Sequence, residues 1–137
     1  PVSIEGAMKI EVRHDRPESA EDTTVLIVED EIVGAWSMTQ QLDQLGYRVC
    51  GIADCEKDAL ELAETYRPKR VLMDVRLRGE GDGIAVALKL RQRFDQPVIF
   101  VSGHLDQATF ERAVQARPVA FLPKPVSLTE LDRVLRA

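Results

Sequence analysis

Val25-Leu26-Ile27-Val28-Glu29-Asp30-Glu31 sets four consecutive apolar residues against three acids, and that boundary decides how the rest of the chain reads. A continuous apolar run, with no polar alternation, suits a strand covered on both faces. The same kind of boundary recurs. Val71-Leu72-Met73 stops at Asp74, Val98-Ile99-Phe100-Val101 stops at Ser102, and Val119-Ala120-Phe121-Leu122 runs through Pro123 to Lys124-Pro125. Tyr47 to Ala53 is the plainer case, ending at Asp54. If these runs form one parallel sheet, their carboxyl ends share an edge, and open α/β sheets bind ligands at that edge.

The intervening segments carry helical patterns. Ile32 to Leu45 places apolar residues at Val33, Trp36, Leu42 and Leu45, with Gly46 as the terminating residue. Asp54 is expected to cap a helix bearing Ala59, Leu60, Leu62 and Ala63, which ends near Arg67-Pro68. A glycine-rich loop, Gly79-Glu80-Gly81-Asp82-Gly83, precedes a helix over Ile84 to Phe94 that should bury Ile84, Ala87, Leu88 and Leu90. Asp106 can cap a helix through Ala116, and Ser127-Leu128-Thr129-Glu130 is a capping box ahead of Leu131, Val134 and Leu135. Alternating strand and helix gives a (βα)5 α/β domain. Right-handed crossovers place helices on both faces of a five-stranded parallel sheet, a three-layer sandwich. A flavodoxin-like order 2-1-3-4-5 would bring the ends of the first and third strands together.

Composition narrows the function classes. A length of 137 residues suits one domain, read as residues 23–137, behind a polar, flexible leader at 1–22. The residues before Met8 are set aside as an addition ahead of a natural start. A formal net charge of -5 argues against direct nucleic-acid binding, which needs clustered cations. Cys50 and Cys55 match no metal or redox spacing and read as ordinary residues in or near the core, and two histidines make a histidine zinc site improbable. No apolar stretch approaches the ~20 residues that span a bilayer, so no membrane partner and a cytoplasmic location are expected.

The strand ends carry the chemistry. Glu29, Asp30 and Asp74 on adjacent strand ends would repel one another unless a cation lies between them. Mg²⁺ suits such a site, because it takes hard oxygen ligands and bridges carboxylate to phosphate. Glu31 reads as a solvent-facing acid. Lys124 has its backbone restricted by flanking prolines, and its ammonium suits a phosphoryl oxygen. Ser102 could donate to the same oxygen; taken alone it reads equally well as a turn cap. Together, in this order, these residues describe a phosphoryl-accepting pocket.

In that order the chain resembles the receiver domain of two-component response regulators over roughly Thr24 to Arg136. The acidic end of the first run, the phosphoacceptor strand at Asp74, Phe100-Val101-Ser102-Gly103 and Phe121-Leu122-Pro123-Lys124-Pro125 each match a family motif. The resemblance implies that Asp74 accepts a phosphoryl group from a histidine kinase or phosphotransfer protein. It implies a Mg²⁺ site, open also to Mn²⁺, formed by Asp30, Asp74 and the backbone carbonyl of Arg76, with Glu29 acting through water. Lys124 and Ser102 would complete the catalytic set. Ser102 and Phe121 would form the switch, and the Lys124-Pro125 bond would be cis. Phe121 stands where tyrosine is frequent, and the loop after Asp74 lacks a common proline. Arg76 and His104, two residues beyond Asp74 and Ser102, are expected to modulate the lifetime of the acyl phosphate, including autodephosphorylation.

A downstream protein would be met through the face formed by the last two helices and the strand between them, about Asp106 to Arg136. A single-domain regulator, a receiver excised from a larger regulator and the receiver of a hybrid histidine kinase all fit, as does a monomer or a phosphorylation-linked dimer. An aspartyl-phosphate phosphatase fits less well, since Arg76 stands where such enzymes of the haloacid dehalogenase type carry a second acid. A flavin-binding carrier would need a phosphate loop in place of Glu29-Asp30-Glu31. A receiver that works without phosphorylation is disfavoured by the full set of site residues.

Overall fold

The computed structural model describes residues 23–77 and 82–137. The expected leader and the glycine-rich stretch at 79–81 lie outside the described residues. Five strands form one sheet: β1 (Thr24–Val28), β2 (Arg48–Ala53), β3 (Arg70–Asp74), β4 (Ile99–Ser102) and β5 (Ala120–Pro123). Their order is β2-β1-β3-β4-β5 and every pairing is parallel, as expected. Between and after them lie α1 (Ile32–Leu45), α2 (Glu56–Tyr66), α3 (Gly83–Phe94), α4 (Gln107–Ala113, continued as a 3-10 turn over Val114–Ala116) and α5 (Leu128–Arg136).

The sheet divides the core in two. Val25 and Ile27 of β1 join Leu72, Ile99 and Val101 against Met38 and Leu42 of α1 and Leu131 and Leu135 of α5. Leu26 and Val28 join Val71, Met73 and Phe100 against Ala59 and Ala63 of α2, Ile84 and Leu90 of α3, and Ala113 of α4. Successive strand residues point to opposite faces, so a strand covered on both sides is apolar throughout. That is why β1, β3 and β4 read as unbroken apolar runs.

Two helices present different faces from those expected. On α1, Leu42 is buried as expected, but Val33 and Trp36 are exposed, and Ala35 and Met38 are buried in their place. The inward face is set by Ala35, Met38 and Leu42 at spacings of three and four, and the alanine lets the helix lie close to the sheet. On α3, Leu88 is exposed while Ile84, Val86, Ala87 and Leu90 are buried. Leu88 is two residues from both Val86 and Leu90, about 200° around the helix.

The caps divide similarly. Asp82, Asp106 and Ser127 each accept a backbone N–H three residues on, from Ala85, Thr109 and Glu130. Asp54 does not cap α2; Cys55 occupies that position without a side-chain bond. Cys55 is exposed and Cys50 half-buried, so only Cys50 belongs near the core. Gly46 ends α1 with φ 92°, whereas Arg67, Asp95 and Arg117 take the left-handed conformation at 47°, 52° and 51° without being glycine. The Lys124-Pro125 peptide is cis. No helix among the described residues is long and apolar enough to cross a membrane.

Candidate functional site

The carboxyl ends of β1 and β3 meet at a shallow cleft of about 280 Å³, bordered by Glu29, Asp30, Asp74, Arg76 and Leu77. Adjacent pairing of β1 with β3 puts Val28 beside Met73, so the acids that follow each strand are neighbours. Oxygens of Glu29, Asp30 and Asp74 lie within 4.8 Å of one another. Glu29 is 2 % exposed and Asp74 7 %, which leaves little water to screen their repulsion.

Lys124 answers that charge. Its ammonium donates to Glu29 Oε1 at 3.0 Å and to Asp74 Oδ2 at 3.2 Å. The remaining oxygens take backbone donors, Glu29 Oε2 from Glu31 N at 3.1 Å and Asp74 Oδ1 from Arg76 N at 3.1 Å. Burial pushes the Glu29 carboxyl above its ordinary value; Lys124 pulls it back and the Asp74 charge adds to the rise. Burial opposes the Lys124 ammonium, but its bonds to Glu29 and its attraction to Asp74 outweigh that and hold it above the usual lysine value.

Backbone contacts fix these side chains in place. Lys124 N donates to Ser102 O at 2.9 Å, tying the end of β5 to that of β4. Gly83 N donates to Val75 O at 2.8 Å, and a Cβ at Gly83 would stand 1.9 Å from Asp74 O. The first residue of α3 therefore has to be glycine for the helix to close on the strand that carries Asp74. Gly34 of α1 plays a milder part, leaving room for the Glu29 carboxylate, 3.2 Å from where its Cβ would be.

The other expected residues lie around this centre. Ser102 Oγ donates to His104 O at 2.7 Å and accepts from His104 N at 3.2 Å, so its bonds close within its own loop. Arg76 and His104 are exposed, and both help hold the Asp106 carboxyl below the usual range, after the larger effect of its bonds from Thr109. Of the two, Arg76 lines the cleft. Phe121 is stacked on buried Phe100 with centroids 5.6 Å apart, and Phe110 of α4 tilts against it at 5.0 Å. Sequence reasoning missed Gly83 and Phe110. Gly83 was legible only as part of a glycine-rich loop, and nothing in the spacing marks Phe110 as a partner of Phe121.

This donor set fits a hard divalent cation. Three carboxylates converge at an open cleft, two of them nearly buried, and their excess negative charge is only partly offset by one ammonium.

A doubly wound parallel sheet with acids and a lysine at this edge has known counterparts. The family model of the response regulator receiver domain matches residues 25–136. The chain belongs to that family: it contains the receiver domain of a two-component response regulator. It is 34% identical over 107 residues to the transcriptional regulatory protein PdtaR of Mycobacterium tuberculosis, covering 78% of this chain and 52% of that protein. The chain spans about half the length of the curated relatives it matches. The signal receiver domain of a modulated diguanylate cyclase from Desulfovibrio desulfuricans G20 superposes with a TM-score of 0.78 at 37% identity, over 82% of this chain and 90% of that one. The receiver domain of sensor histidine kinase PA1611 from Pseudomonas aeruginosa PAO1 has a TM-score of 0.74 at 31% identity, over 83% and 94% of the two chains, and holds a magnesium ion in its active-site cleft.

Proposed function

We propose that the protein is a phosphorylation-dependent signalling switch, with residues 23–137 as its receiver unit and Asp74 as the phosphoacceptor. The observation that carries this reading is the Lys124 ammonium shared between Glu29 and Asp74 at a cleft where Asp30 also converges. Asp30 and Asp74, with the Arg76 carbonyl, would hold Mg²⁺, or Mn²⁺ in its place, and Glu29 would act through water. Bound there, the ion supplies positive charge against the phosphoryl oxygens.

Phosphoryl transfer is chiefly positioning and charge neutralisation. A carboxylate oxygen of Asp74 attacks the phosphorus of a phosphohistidine in line with the P–N bond. That bond breaks, and its electron pair returns to the imidazole of a histidine kinase or phosphotransfer protein. Arg76 N holds Asp74 Oδ1 and so orients the nucleophile. Lys124 leaves Asp74 Oδ2 for a phosphoryl oxygen, exchanging one anionic partner for another. Ser102 gives up His104 O to donate to the phosphoryl group, which draws β4 and its loop toward Asp74. Phe121 and Phe110 carry that shift to α4, so the α4–β5–α5 face presents a different surface to a downstream protein. Arg76 and His104 flank the path of an attacking water and set the lifetime of the acyl phosphate. Their double replacement by alanine should change the dephosphorylation rate severalfold; an unchanged rate excludes that role. This cycle belongs in the cytoplasm.

The test is incubation with Mg²⁺ and acetyl phosphate, read by intact mass. The reading expects a single phosphoryl adduct that needs Mg²⁺ and is lost in Asp74→Asn. No adduct on the wild-type chain sinks it.

A further inference from the structure

Leu88, expected in the core, stands on the outer side of α3 and is 38% exposed. A single exposed leucine is ordinary. This one belongs to a surface: Ala85, Leu88 and Gln92 follow one another at spacings of three and four, a stripe along one side of the helix. The stripe walls a groove of about 530 Å³, and the opposite wall is the end of α4, at Gln115 and Arg117. Arg91 ties the two walls together, since its Nε donates to Ala116 O at 3.2 Å and its Nη2 to Arg117 O at 2.5 Å. The groove is therefore already formed, with the spacing of its walls set by α3 itself. None of its lining residues borders the Asp74 cleft.

Charge decides what the groove can take. Every charged residue lining it is a cation (Lys89, Arg91 and Arg117), on a chain whose formal net charge is -5. Lys89 is paired with Glu56 and Arg91 with Asp95, whereas Arg117 has no ion pair among the described residues. Cationic walls select an acidic occupant. The lining holds no aromatic ring on which a base could stack, which disfavours a single-stranded nucleic acid. An apolar stripe between cations suits an amphipathic helix with apolar side chains at spacings of three and four and acids on its flanks. We propose that this groove is a docking site for an acidic amphipathic helix of a partner protein. Its apolar side chains lie over Ala85 and Leu88, and one of its carboxylates pairs with Arg117. Only the α4 wall belongs to the α4–β5–α5 face; the α3 stripe makes this a separate surface, and the proposal stands whether or not Asp74 is the phosphoacceptor.

The test uses the full 137-residue chain, isotope-labelled for amide NMR, and two synthetic peptides. Both peptides carry leucines at spacings of three and four along one helical face; the flanking residues are glutamate in one and lysine in the other. The glutamate peptide should give saturable amide shifts centred on Ala85 to Gln92 and Gln115 to Arg117, and the lysine peptide should bind at least about tenfold more weakly. Leu88→Glu should weaken the glutamate peptide about tenfold or more, and Arg117→Glu should weaken it severalfold and flatten its dependence on salt. Both positions lie away from the Asp74 cleft, so Tm and acetyl phosphate labelling should stay at wild-type values, which excludes unfolding as the cause. No saturable shift up to about 1 mM of the glutamate peptide overturns the proposal. Equal binding of the two peptides, shifts confined to the Asp74 cleft or to α1, or unchanged affinity in either variant would do the same. Tighter binding of an oligothymidylate than of the glutamate peptide at these residues also overturns it, because the groove would then be holding phosphates.

Discussion

Lys124→Met keeps most of the side chain and removes its charge, which isolates what the ammonium does. In the folded protein it lies 3.0 Å from Glu29 and 3.2 Å from Asp74, while three carboxylates stand within 4.8 Å of one another. Each contact is worth about 5 kcal/mol at an effective dielectric of about 20, before desolvation of the lysine offsets much of it. Proton uptake limits the damage. Glu29, already above its ordinary 4.5 because burial disfavours its charge, escapes the repulsion by taking a proton. Doing so at pH 7.5 costs about 1.4 kcal/mol for each pH unit above 4.5, or about 4 kcal/mol. Relaxation around the site offsets part of that, so a loss of about 2–3 kcal/mol is expected at pH 7.5 in EDTA.

At pH 5.5 the same limit falls to about 1.4 kcal/mol, and the loss should shrink with it. The sign follows from linkage. A carboxyl whose folded pKa is raised binds its proton more tightly in the folded state, so stability grows as pH falls toward 4.5 and declines as pH rises through the raised value. Lys124, held above its usual 10.5, stays charged throughout this window and contributes no slope there. Urea unfolding of both proteins at the two pH values provides the measurement. A loss under about 0.5 kcal/mol at pH 7.5, or one as large at pH 5.5, refutes the account of the ammonium as the counter-charge to Glu29 and Asp74.

Three further outcomes are expected. Gly83→Ala must move either α3 or the end of β3, since the new Cβ would lie 1.9 Å from Asp74 O; a loss of about 2 kcal/mol or more in urea unfolding and slower acetyl phosphate labelling should follow, and wild-type values for both would contradict the close approach. Asp95→Gly relieves a left-handed residue at φ 52° and gives up an ion pair to Arg91 whose acid is 86% exposed, so a gain of about 0.5–1 kcal/mol is expected; a drop in Tm would count against it. Burial pushes the Cys50 thiol up to about 11, whereas Cys55 is exposed; a disulfide reagent at pH 8 should therefore titrate one thiol quickly and the second only on unfolding, and two equally fast thiols would disprove this.

The sheet was legible because burial on both faces makes β1, β3 and β4 continuously apolar, and chemistry begins where each run stops. Asp30, Asp74 and Lys124 were legible for the same reason. Helix faces were less so. Val33 and Trp36 look like core residues until the neighbouring sheet selects Ala35 and Met38, and a small alanine leaves a weak signal. The helix ends before Arg67, Asp95 and Arg117 fell where expected, but the left-handed backbone at these three residues was hidden, because sequence usually announces it with glycine. Glu29 looked like a water-mediated auxiliary and is the most buried acid described, bonded directly to Lys124. Gly34, five residues on, leaves room for its carboxylate, a consequence of how α1 follows β1. The aromatic stack of Phe100, Phe121 and Phe110 joins three elements and has no local signature.

The central claim is that the residue at the end of β3 receives the phosphoryl group, and the most direct test locates the label. After reaction with acetyl phosphate and Mg²⁺, borohydride reduces an aspartyl phosphate to homoserine, which peptide mass mapping places at a single position. The account predicts homoserine at position 74 and nowhere else. Homoserine at position 30 or any other acid, or none after a phosphoryl adduct has formed, would contradict it.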